Sequence, residues 1–393
     1  MRSRMIAPGV AFAALVLAMP ASAARPPVCQ EVAFSPAFSR DRTMWCSESV
    51  ADDGAYVYRS TDAGRSWGRG VQVKSGDGRQ FMARVVPSPL YATDRRVVVW
   101  TTDGLFESVD GGLTFAAEPV AEPRSEVAPY IDTLGTGKAR AAFVHGIGGN
   151  GVYDAELGRR GVFGVPGHDV LRYIVPSSFA QTREAVAVAI PSATVTQDNK
   201  ALTPEDTIAA RCVADFVCVD KGFDFGRVFM KEVDELGRRD QHYAIAWEFT
   251  RHPDSSFTLG RARAWRTNDA GRTWAGWTSV ERLMNARPST SKWTITGSPD
   301  SRRMFLTGAT ITYGPDDRTI ADDKYDMTLW RSDDDGATWN RLPVPWTRPV
   351  GLAFPTITAQ VGNRLYATGS RPGFTGLFCS LDNGRTWRTG TCR

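Results

Sequence analysis

Histidine is scarce in this chain, with 4 in 393 residues, and lysine nearly so, with 7 against 40 arginines. The four imidazoles, at His145, His168, His242 and His252, are isolated and form no HExxH pair, so the raw material for a zinc site is thin. An excess of one charge is missing too. Setting aside Arg2 and Arg4 of the N-terminal stretch leaves 45 basic against 43 acidic side chains, no footprint for nucleic acid or an anionic membrane. Beyond residue 23 no apolar run approaches the roughly 18 residues of a membrane-spanning helix. CxxC spacing is absent, and so is any long interior stretch of helical periodicity.

What is present is a foldable chain, 42% apolar with balanced charge, which excludes wholesale disorder. Arg2 and Arg4 precede an apolar run over 6–19, and Ala21, Ser22 and Ala23 give the small-residue pattern of signal cleavage. This predicts a signal peptide over 1–23 and a mature chain over 24–393 that is secreted or periplasmic. All six cysteines, Cys29, Cys46, Cys212, Cys218, Cys379 and Cys392, fall in that exported part, where an even count favours disulfides over metal. Sequence neighbours suggest Cys29 with Cys46, Cys212 with Cys218 and Cys379 with Cys392. A rival pairing joins Cys29 to Cys392 and staples the chain ends.

The strongest pattern is a repeat. STDAGRSW at 60–67, SVDGGLTF at 108–115, TNDAGRTW at 267–274, SDDDGATW at 332–339 and SLDNGRTW at 380–387 obey one rule: Ser/Thr, any, Asp, any, Gly, any, Ser/Thr, aromatic. The chemistry explains the spacing. Gly64, Gly112, Gly271, Gly336 and Gly384 permit the positive φ of a tight corner, and Asp62, Asp110, Asp269, Asp334 and Asp382 can accept from its amides. Trp67, Phe115, Trp274, Trp339 and Trp387 then open the outgoing strand with a ring able to pack between sheets. Five equivalent acids cannot all face one substrate, so they read as turn braces and no catalytic residue is assigned to them.

This pattern resembles the Asp-box, or bacterial neuraminidase repeat, of sialidases, sortilin-type receptors, xyloglucan-degrading enzymes and photosystem assembly factors. The resemblance covers most of the mature chain and implies a β-propeller, while its relatives include enzymes and non-enzymes. Two worn copies fill the central gap: DAELGRRG at 154–161 keeps Glu156 and Gly158, and CVDKGFDF at 218–225 keeps Asp220, Gly222 and Phe225. Seven units result. The expected fold is all-β, a single propeller of seven four-stranded antiparallel blades, with six blades as the alternative. The weak place is the fifth unit, where only 227–233 serves as an inner strand and FDF is all that remains for the outer strand before it.

In a meander blade, the corners share one face with the connections from first to second strand. The opposite face carries three long polar loops, 191–209, 251–260 and 313–326, and in sialidase-like propellers that face holds the ligand, as the resemblance implies. Asp316, Asp317, Asp322, Asp323 and Asp326 cluster in the last loop, interleaved with Arg318 and Lys324. They read as a solvated acidic loop, with calcium as the other reading; no cofactor is otherwise expected.

Three functions follow: a non-catalytic module binding a protein or glycan, a glycoside hydrolase of sialidase type, and an envelope assembly or stability factor. Sialidases, as the resemblance implies, use three Arg on a substrate carboxylate, a Tyr–Glu nucleophile pair and an acidic Asp. Here no Glu follows Glu281, and sets such as Tyr325 or Tyr366 with Glu248 are arbitrary choices among 10 tyrosines.

Overall fold

A computed structural model describes residues 27–390 except 51–53, 75–83, 89–90, 102–103, 118–129, 135–140, 146–150, 155–158, 162–164, 166–167, 175, 177, 179–181, 183, 192–206, 214–216, 237–239, 252–256, 288–289, 299–300, 312–324 and 348–355. The expected signal peptide lies outside the described residues, among which no helix is long and apolar enough to cross a membrane.

Six blades of four antiparallel strands follow one another along the chain, each a meander in which consecutive strands pair. Blade 1 comprises Glu31–Phe34, Met44–Val50, Gly54–Ser60 and Val71–Lys74. After it comes a three-stranded sheet, Arg84–Pro87, Val97–Thr101 and Gly104–Ser108. Blades 2 to 6 begin with the inner strands Tyr130–Leu134, His168–Ile174, Val228–Glu235, Thr290–Gly297 and Thr356–Val361. β-branched and aromatic runs such as Val97–Thr101, buried along its whole length, explain the strands.

The expectation of seven four-stranded blades is therefore corrected to six. In the second repeat unit no outer strand forms over 113–117, where Ala116 N–H bonds the Glu107 carbonyl at 2.9 Å without opening a ladder. The worn corner at 218–225 is corrected as well. It belongs to the ten-residue outer strand of blade 3, Val217–Gly226, paired with Thr207–Val213. Val217, Val219, Phe223 and Phe225 favour a strand, and register shifts absorb the irregular Asp220–Gly222 stretch. Glu156 and Gly158, of the other worn copy, fall outside the described residues.

Two disulfides match the local pairing. Cys29 bonds Cys46 across the inner two strands of blade 1, which excludes the end-to-end rival, and Cys212 bonds Cys218 at the hairpin of blade 3. Closing a loop the size of the first stabilises by roughly 3 kcal/mol through the unfolded chain. Cys379 is buried in blade 6 and is itself disulfide-bonded, while Cys392 lies outside the described residues.

Apolar side chains fill the seams between sheets. Trp45, Val57, Tyr91, Val99 and Phe106 pack blade 1 on the three-stranded sheet; Tyr243, Trp277 and Trp293 join blade 4 to blade 5; Phe305, Trp346 and Phe378 join blade 5 to blade 6. A fully buried indole of this kind removes 150–250 Å² from water, roughly 4 to 6 kcal/mol as an upper figure. Phe38, Met44, Tyr366 and Leu377 close the ring between blade 6 and blade 1.

One helix, Thr278–Asn285, was not foreseen. Val280 and Met284, four residues apart, bury its inner face in the seam of blades 4 and 5. It covers the edge of Phe257–Thr267, beyond the short outer strand Ala275–Gly276. Asn285 both accepts from Ala262 N–H at 2.8 Å and donates to the Ala262 carbonyl at 2.9 Å, and Glu281 accepts from Ala264 N–H at 3.1 Å. Side chains thus replace a partner strand and protect the edge.

Candidate functional site

The five corners have one geometry. The first hydroxyl, of Ser60, Ser108, Thr267, Ser332 or Ser380, donates to the Asp carboxylate at 2.7–2.8 Å and accepts from the Gly N–H at 2.7–3.0 Å. The carboxylate also accepts the amide at the seventh position at 2.8–3.0 Å and that residue's hydroxyl at 2.6 Å. Partial burial pushes the Asp110 and Asp382 carboxyls up, but these bonds outweigh it and hold both down at about 2. Asp62 and Asp269 are lowered by the same balance, and Asp334 chiefly by its bonds to Thr338.

The variable fourth position has a role that its composition hid. Ala63, Gly111, Ala270, Asp335 and Asn383 all have positive φ, and each donates its N–H at 2.8–3.0 Å to the first connection of its own sheet, at Arg42, Arg95, Asp240, Arg302 or Asn363. Each corner is thereby clamped to its neighbour on the same face. Gly64, Ser66 and Gly68 also have Gly-x-Ser-x-Gly spacing, but the Ser66 hydroxyl is committed to Asp62 within the turn.

The other charged residues that matter stand near the axis, on inner strands. Glu31 pairs in register with Ser47, Arg84 with Trp100, Arg172 with Val188 and Glu232 with Ile245. Each partner is the fourth residue of its sheet's second strand, which starts at Met44, Val97, Ala185 or His242. Four charges from four sheets therefore occupy one height, with Thr294, opposite Thr307, at the same level in blade 5. Lys292, opposite Ala309, stands further from the corner face.

These groups couple the sheets. Arg172 of blade 3 reaches the Val233 carbonyl at 2.7 Å and the Asp234 carboxylate at 2.9 Å in blade 4, and Glu232 pairs with Lys292 of blade 5 at 2.5 Å. Burial pushes the Glu31 carboxyl up; Arg84 draws it back and Asp234 raises it further. Blades 1 and 4 are not neighbours in the ring, so Asp234 acts on Glu31 across the axis. Glu232 is likewise raised, by burial first, against the pull of Lys292, and Tyr243 is pushed well up by burial and by Glu232 and Asp234. Glu31 and Glu232 nevertheless keep partial access to solvent.

Sequence reasoning missed this belt, whose four level members are single charges scattered from position 31 to position 232; the signal was their equal distance from the first turn of each repeat. Of the arbitrary Tyr–Glu sets, Tyr366 with Glu248 does not come together. Glu248 is bound to Arg263 at 3.0 Å in blade 4, Tyr366 is buried where blade 6 meets blade 1, and the Tyr325 side chain lies outside the described residues. The acidic loop over 313–326 is outside them too, except for the start of the third strand of blade 5, where exposed Asp326 pairs with Arg287 at 2.9 Å. Among the described residues no group of three His, Cys, Asp or Glu side chains is placed to hold a metal ion.

No known protein family and no curated protein matches the sequence. Solved structures do resemble it. A puromycin-hydrolysing peptidase of Mycobacterium tuberculosis aligns at a TM-score of 0.50 and 11% identity, over 94% of this chain and 56% of that one. A GH74 enzyme of Niastella koreensis aligns at 0.41 and 13%, over 92% and 65%, and the GH74 xyloglucanase of Xanthomonas campestris at 0.42 and 14%, over 92% and 60%. The chain spans less than two thirds of the length of each, and at these identities the likeness concerns the fold alone.

Proposed function

We propose that residues 24–393 form an exported, non-catalytic propeller that binds a protein or glycan through the loop face opposite the corners, with the axial belt as the floor of the site. The observation that supports this reading is the division of labour among the acids. The corner carboxylates are saturated inside their own turns, whereas Glu31, Arg84, Arg172, Glu232 and Lys292 gather at the axis. Mixed charges on a rigid scaffold fix the orientation of a polar ligand without supplying a nucleophile.

One observation favours a second reading, the glycoside hydrolase. Two carboxyls, Glu31 and Glu232, are raised toward the range in which such a group can protonate a leaving oxygen. Incubation with a fluorogenic sialoside and a panel of β-glucans separates the two. The binding reading expects no turnover, and turnover that disappears in Glu232→Gln would replace it with the hydrolase. On a glycan array or with envelope extract, capture by the wild type that is lost in Lys292→Glu and kept in Asp334→Asn would support the axial face.

A further inference from the structure

At three seams between sheets, an arginine just before a corner's first hydroxyl reaches toward the fourth corner position of the next sheet. Arg266 of blade 4 donates to the Asp335 carbonyl at 2.9 Å, with the Asp335 carboxylate at 3.8 Å. Arg331 of blade 5 approaches the Asn383 carbonyl at 3.5 Å and pairs with Asp333 at 3.0 Å. Arg59 of blade 1 holds the same place before Ser60 and comes up against Gly111 of the three-stranded sheet, where a Cβ would stand 3.2 Å from its Nη1.

Glycine supplies no carboxylate. Among the described residues the Arg59 side chain has no hydrogen bond or ion pair, and its Nε is buried without an acceptor. The Tyr91 hydroxyl, 2.7 Å from the same Cβ point, is likewise buried and unpartnered. Native proteins rarely leave such groups unsatisfied without a ligand or water to complete them.

Beside Arg59 opens a cleft of about 760 Å³ that Arg69, Tyr56, Trp67, Gln72 and exposed Leu113 also line; among the described residues none of its walls is acidic. We propose that this cleft binds a carboxylate-bearing saccharide, the carboxylate taking against Arg59 the role that Asp335 plays against Arg266. The guanidinium fork matches a carboxylate in charge and shape, and Arg69 adds a second cation at the mouth. Tyr56 and Trp67, both half-buried, offer ring faces to the C–H face of a sugar, and Gln72 can meet its hydroxyls. The site lies on the corner face and so stands apart from the axial reading.

Calorimetric titration of the mature protein with D-glucuronate, D-glucose, acetate and sulfate tests the assignment. Glucuronate should bind at least about tenfold more tightly than the other three, and Arg59→Met should weaken it by about tenfold or more. Gly111→Asp, which supplies the carboxylate that Asp335 gives the Arg266 seam, should exclude the ligand. Arg69→Ala alters only an exposed side chain and should weaken binding severalfold with the fold intact. Equal affinity for glucose, sulfate binding as tight as glucuronate, or undiminished affinity in both Arg59→Met and Arg69→Ala would overturn the proposal.

Discussion

At the rim, Asp110 accepts the hydroxyls of Ser108 and Thr114 and the amides of Leu113 and Thr114; at the axis, Glu31 accepts no hydrogen bond among the described residues and meets Arg84 and Asp234 only through their fields. Both are carboxyls held by the same propeller, and the fold moves them in opposite directions. The rim acid is driven down because every lone pair is used, the axial acid up because water is withdrawn and little replaces it. Number and position of donors, more than residue type, decide whether an acid is scaffold or working group.

The comparison can be broken most severely at a corner. Gly336→Ala forces a side chain into positive φ and drives its Cβ into the Trp277 indole, at a cost of roughly 3 kcal/mol or more, checked by denaturant unfolding. Next comes Asp269→Ala, which strips one turn of its braces while leaving its backbone free to follow, for about 2 kcal/mol. An unchanged midpoint would mean that the glycines alone make the corner. Acid titration sharpens the contrast further. Since rim carboxyls are lowered on folding, their stabilisation is whole above the ordinary aspartate range near 4 and fades as pH falls toward about 2. Asp110→Asn and Asp382→Asn should each reduce the steepness of stability between these limits. The smallest effect has the other sign. Glu31 is raised, so its charged form opposes folding at neutral pH, and Glu31→Gln should modestly raise the midpoint at pH 7. That gain should vanish below about pH 4, where Glu31 is protonated in both states.

The corners were legible in the sequence because each is a local object: eight residues carry the hydroxyl, acid, glycine and ring that complete one another. Blade number was less legible. The repeat marks a turn and not the outer strand after it, so the second unit, with its corner at 108–115, counted as a blade although only three strands are described there. At 218–225 an acid and a glycine at corner spacing misled, since β-branched and aromatic neighbours and the Cys212–Cys218 bond impose a strand. The axial belt was not legible, because Glu31 and Glu232 share a height only once strand register is known. Arg59 was hidden likewise: its lack of a partner depends on Gly111, 52 positions away, at a position that the repeat leaves unspecified.

Ring closure has a mechanical consequence. Every four-stranded blade is cut from one continuous stretch of chain, and blade 6 meets blade 1 through side chains such as Phe34, Phe38 and Tyr366, with Tyr366 5.4 and 5.7 Å from the other two rings, centroid to centroid, and, among the described residues, no strand contributed by the opposite terminus. Tension applied to the two termini should therefore part this joint first and then peel the wheel sector by sector. For the same reason, linking the termini and reopening the chain between blades 4 and 5 should yield a circular permutant in which every hydrogen-bonded sheet survives whole.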